Sequence, residues 1–139
     1  MDKRTLLKDV GVTVATRIGR PLRSFERRAL GFVIDQTGYG GAPADFLSSK
    51  CSVGSTDTSR DVAIKLQDTV FQACKAEYSR RLAQAEIAQD TEEVARLATL
   101  NKMLDEDRVN VLSLRDKPDV EISFYGVPGY WIPKWVPAM

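Results

Sequence analysis

Five arginines crowd residues 17–28: Arg17, Arg20, Arg23, Arg27 and Arg28. A guanidinium presents a rigid fork of N–H donors that matches phosphate and carboxylate oxygens in pairs. If this stretch is helical with a break near Pro21, then Arg20, Arg23 and Arg27 fall along one side and Arg17 and Arg28 flank them. Such a face can grip a nucleic-acid backbone with salt-dependent, sequence-independent affinity. It can equally meet an acidic protein surface or stay solvated. Residues 1–30 set Lys3, Arg4, Lys8 and these five arginines against Asp2, Asp9 and Glu26, a net of +5. The whole chain carries only +1, so the remainder is acidic by 4. That asymmetry makes the N-terminal region a candidate polyanion-binding surface. No helix-turn-helix, zinc-finger or RNP pattern accompanies it, so base reading is not expected.

The other chemically capable residues are sparse. Histidine is absent from the sequence, which removes His-dependent triads, His metal sites and the commonest general base at neutral pH. The loop Gly38-Tyr39-Gly40-Gly41 follows an apolar run but fits neither a dinucleotide fingerprint nor a P-loop. A flexible turn is its expected role. The acidic sets Asp90/Glu92/Glu93 and Asp105/Glu106/Asp107 offer oxygen ligands. The second lacks the glycine and terminal glutamate of a calcium loop, and the first is explained by helix N-terminal electrostatics. The two cysteines, Cys51 and Cys74, form no CxxC pair, so neither a disulfide framework nor a zinc site is expected. Cys74 falls on an apolar helical face; Cys51 sits in a polar stretch and is open to exposure. The expectation is therefore a non-enzymatic protein without metal or cofactor.

Residues 120–139 carry a different kind of signal. They hold both tryptophans, five of the eleven aromatics and three of the six prolines, with Glu121 and Lys134 as their only charges. Disordered termini are usually polar and poor in aromatics. Tyr and Trp dominate interface hot spots, and Pro128, Pro133 and Pro137 stiffen the segment toward extended geometry. Phe124, Tyr125, Tyr130, Trp131 and Trp135 are the candidate protein-interface residues. Packing back across the chain's own helices is the competing reading.

The elements that must position these groups are mainly α-helical. Residues 5–18 are ambiguous: Leu7, Val10, Val14 and Ile18 repeat at helical spacing, while Val10, Val12 and Val14 alternate as in a strand. The longer template favours a helix. Gly19 and Pro21 interrupt the chain, and Ser24 is the expected N-cap of a helix over 25–35 with Phe25, Ala29, Phe32 and Val33 inward. A loop over 35–43, a short apolar turn at 44–47 and a polar connection at 48–59 follow. Thr58 and Asp61 resemble a capping box. From there Val62, Leu66, Val70, Cys74, Tyr78, Leu82 and Ala85 form one stripe, widened by Ile64 and Phe71. Asp90 and Glu93 look like a second cap, and Val94, Leu97, Leu100 and Leu104 form a new stripe out of phase with the first. The phase break predicts a long helical pair, about 59–89 and 91–108, as an antiparallel hairpin rather than one rod, although no Gly or Pro lies between Ser55 and Lys117. Residues 109–114 extend the second helix or begin a strand. Asp116–Asp119 reads as a turn, and Val120, Ile122 and Phe124 share one face of a strand over 120–124.

At 139 residues this predicts one helical body over 1–116 and a C-terminal strand and docking arm over 117–139. No apolar run approaches the ~18–20 residues of a membrane span, and the N-terminus lacks the apolar stretch of a secretory signal. The expected setting is the cytoplasm or a particle assembled there. The expected function is structural: a subunit that forms homo-oligomers or joins a larger protein assembly. Small connector and adaptor subunits of virus particles have this shape, a helical body with extended arms; the likeness is one of architecture only. The alternative is a nucleic-acid-associated accessory factor using the five arginines.

Overall fold

Leu6, Val10, Val14 and Ile18 recur every four residues, and the backbone follows that helical spacing rather than the strand alternation. The computed structural model, which describes residues 2–124, has them buried along α1 (Lys3–Ile18), while Val12 is 61% exposed. Asp2 caps α1 by accepting from Thr5 N at 2.8 Å. Gly19 ends it at φ 75°, a left-handed conformation that suits glycine.

The next helix, α2 (Ser24–Thr37), starts one residue earlier than the Ser24 cap predicts. The carboxylate of Glu26 reaches back to accept from Arg23 N at 2.9 Å, so Arg23 occupies the N-cap position and Ser24 is already helical. A 3-10 turn over Pro43–Asp45 leads into α3 (Phe46–Cys51). The first four residues of the polar connection at 48–59 are therefore helical, and Cys51 is buried rather than exposed. A hydroxyl- and amine-rich sequence hides this because Phe46, Leu47 and Cys51 are its only inward residues in the helix.

The long pair is present as α4 (Ser59–Ile87) and α5 (Thr91–Leu114). Thr58 accepts from Asp61 N and donates its own N–H to the Asp61 carboxylate, both at 3.1 Å, closing the expected capping box. Asp90 caps α5 by accepting from Glu93 N at 3.1 Å. The two helices run antiparallel: Lys75 reaches Asn101 and Asp105, Arg108 lies over the Phe71 ring at 4.7 Å, and Arg115 meets Gln67 and Asp68. The whole predicted α4 stripe faces inward, with Tyr78 and Leu66 among the most deeply buried side chains. Residues 109–114 continue α5 because Val111 extends the inward row of Leu97 and Leu104. Residues 120–124 keep the in-out alternation expected of a strand, with Ile122 and Phe124 buried and Glu121 exposed, and pair with no strand among the described residues. The arm, any strand past Phe124, and Tyr125, Tyr130, Trp131 and Trp135 lie outside the described residues. Among those described, no helix is long and apolar enough to cross a membrane.

The turn between α4 and α5 places Gln89 at φ 56°. This left-handed conformation costs an L side chain about 1–2 kcal/mol, more than glycine's added chain entropy. Gln89→Gly is expected to raise stability by about 0.5–1 kcal/mol, read as a higher urea midpoint at unchanged slope. A lowered midpoint would contradict the assignment of this turn.

Candidate functional site

Residues 115–124 have little helix or sheet to satisfy their carbonyls, so long polar side chains from the body do it. Arg60, in the first turn of α4, donates through Nη1 to Val120 O at 2.6 Å and through Nη2 to Arg115 O at 3.0 Å and Lys117 O at 2.9 Å. Gln67, two turns along α4, donates Nε2 to Ser123 O at 2.8 Å. Its Oε1 accepts from Arg115 Nε at 2.8 Å, and Arg115 Nη2 also reaches Asp68 at 2.8 Å. Asp68 takes a second cation, Arg108. Burial pushes the Asp68 carboxyl up, but the two guanidinium groups outweigh it and hold the carboxyl below its usual range.

The other side of this clamp is built on Glu26, which is fully buried. Arg20 donates to both of its oxygens, at 2.7 and 2.8 Å. Arg23 N and the Ser123 hydroxyl, at 2.9 and 3.4 Å, complete its shell. Burial pushes the Glu26 carboxyl up; the Arg20 hydrogen bonds and the Arg23 N–H together overcome this and leave it below its ordinary value of 4.5. Arg20 also reaches Glu121 through Nε at 2.9 Å and Ile122 O through Nη2 at 3.1 Å. Arg23 adds a second cation to Glu121 at 2.8 Å. The α1–α2 turn, the first turns of α4 and the chain up to Phe124 thus form one polar lock around an apolar plug of Ile122 and Phe124.

The five candidate polyanion-binding arginines divide. Arg20 is half-buried within this lock, and Arg23 is exposed but paired with Glu121. Arg17 donates to Gly54 O and Asp57 O, tying down the loop before α4. Arg27 donates to Leu22 O at 2.8 Å and is otherwise open to solvent. Arg28 Nε is buried and makes no hydrogen bond among the described residues. The five do not form one free face. Phe124, a candidate interface residue, has no exposed surface.

Glu26, Arg60, Gln67 and Arg115 carry the clamp and escape sequence reading. Each meets a partner dozens of residues away or a backbone carbonyl, and neither leaves a periodic signature. Glu26 three residues after Arg23 is the one local signal, that of an acidic residue at the third helical position.

The remaining groups do local work. Gly38 caps α2 at φ 67°, and Tyr39 packs edge-on against Phe46 with ring centroids 5.3 Å apart and donates to Ala42 O. Glu93 pairs with Arg96, and Asp105 with Lys75. No cluster of cysteine and carboxylate groups suited to a metal ion exists among the described residues. Burial pushes the Cys74 thiol up to about 12 and the Cys51 thiol upward, so both stay protonated at neutral pH. A cleft of about 430 Å³ beside Cys51 is lined by Lys50, Lys65, Asp68, Thr69 and Gln72, and Lys65 is already held by Asp57 and Ser52 O. No family model matches the chain, and comparison with curated proteins and with solved structures returns no match.

Proposed function

We propose that this chain is a structural subunit that works through protein–protein contact rather than catalysis, with residues 125–139 as its principal contact segment. The observation that carries this reading is the clamp on residues 115–124. It gives the aromatic, proline-spaced sequence that follows a fixed point of departure beside Phe124, between the α1–α2 turn and α4. A pre-positioned start lowers the ordering cost when a segment docks. Tyr130, Trp131 and Trp135 are residue types that supply large contact area at such docking sites. A place in a particle-like assembly, as a connector between larger components, is the finer form of the same proposal.

Truncation after Phe124 tests it. The shortened chain is expected to keep its helix content and cooperative unfolding while losing assembly seen for the intact chain by light scattering. Loss of the fold would instead make the segment part of the subunit's own core. The nucleic-acid alternative rests on Arg17, Arg20, Arg23, Arg27 and Arg28, most of whose guanidinium groups are engaged inside the chain. Tight binding of generic duplex DNA at low salt, weakening steeply as salt rises, is the outcome that favours it.

A further inference from the structure

Two surfaces of opposite chemistry lie on different helix pairs. The first is an open groove of about 480 Å³ between α1 and the α1–α2 turn. Leu7, Leu22 and Leu30 line it, and Gly11 and Ala15 leave room along α1 for another backbone. Arg4 and Lys8, one turn apart on α1, stand at its edge, both exposed, with no carboxylate partner among the described residues. The second surface is the outer face of α5, whose inner face packs on α4. Val109 is 68% exposed and Leu112, one turn on, is 42% exposed. Glu106 precedes them by a turn, its one ion-pair partner among the described residues an exposed Lys102 at 4.0 Å, and exposed Asp116 lies just past the helix end.

From this complementarity we infer that the groove of one copy takes the C-terminal half of α5 from a second copy. This inference rests on the assembly reading and names a body-to-body contact beside the 125–139 segment. An amphipathic helix lies in an apolar groove through anchors at i and i+3, and Val109 and Leu112 have that spacing. Small residues at the groove floor permit helix axes to approach closely. Arg4 and Lys8 meet Glu106 and Asp116 across the contact, which fixes polarity and favours this pairing over others. Because the two surfaces differ, the contact joins copies either reciprocally in a two-fold pair or head-to-tail in a ring or open array.

A charge-swap experiment on the full chain tests it. One variant carries Arg4→Glu and Lys8→Glu; the other carries Glu106→Arg and Asp116→Arg. All four side chains are exposed, so circular dichroism is expected to match the parent. Each variant alone sets like charges against each other, and its self-association is expected to weaken by about 10-fold or more. Mixed one to one, each groove meets a strip of opposite sign, and association returns to within about threefold of the parent. Val109→Gln, which changes no charge, is expected to weaken association by about 10-fold as well. Parent-like association of both variants, or no rescue on mixing, overturns this contact while leaving the assembly reading in place. An intact chain that stays monomeric at every concentration overturns the contact as well. A groove that instead captures an acidic helix of another protein, with self-association unaffected, also overturns it.

Discussion

Glu26→Ala is expected to cost about 3–5 kcal/mol of folding stability, the range seen when one member of a buried ion pair is removed. The substitution removes the buried carboxylate from half-buried Arg20 and leaves it the exposed Glu121, uncaps Arg23 N at the start of α2 and removes the acceptor for the Ser123 hydroxyl. Single domains have a total stability of about 5–15 kcal/mol, so urea unfolding should show a large fall in midpoint. The same residue sets a pH dependence. Its folded-state carboxyl titrates below 4.5, so its stabilisation is full above that unfolded value and is lost as pH falls through the depressed one. Asp68 is shifted in the same direction and adds to the effect. Glu26→Gln, which cannot ionise, should be less stable at neutral pH and show a flatter loss of stability in acid than the parent. A cost under about 1 kcal/mol for Glu26→Ala, or identical acid profiles, would remove Glu26 from the centre of the clamp.

Phe124→Ala carries the second large effect, about 3–5 kcal/mol for deleting a buried aromatic ring. Phe124 has no exposed surface and packs with Ile122 into the common core. Its loss should therefore be read in the unfolding midpoint of the subunit itself. If the later aromatics act at an interface, Trp131→Ala should shift that midpoint by no more than about 0.5 kcal/mol, as expected away from a core. The contrast locates the boundary between fold and contact segment within a few residues. A Phe124→Ala chain as stable as the parent would place the plug outside the core.

The helical body was legible because its stripes are long. Val62 to Ala85 repeats over many turns, and Thr58 and Asp90 mark its starts with side chains that bond the backbone three residues on. The phase break near Thr91 correctly separates α4 from α5, although glycine and proline are missing there and Gln89 makes the left-handed turn. Short elements were less legible. Six-residue α3 has too few inward positions to stand out from its serines, which is why the sequence leaves Cys51 open to exposure. Strand-like alternation at 120–124 reflects real burial of Ile122 and Phe124. Periodicity does not reveal that arginine and glutamine side chains bond the carbonyls of that backbone. The same limit applies to the arginines. Spacing places Arg20, Arg23 and Arg27 on one side, but Glu26 and Glu121 hold two of them in ion pairs, Arg20 with a buried carboxylate and Arg23 with an exposed one.

Sedimentation equilibrium on the intact chain and on a chain with Trp131→Ala and Trp135→Ala, with circular dichroism on both, tests the contact reading most directly. The intact chain should form a defined assembly, and the double variant should dissociate toward monomer with its helix content unchanged. An intact chain that is strictly monomeric, with an aromatic pair whose loss changes neither mass nor recovered partners, would contradict it.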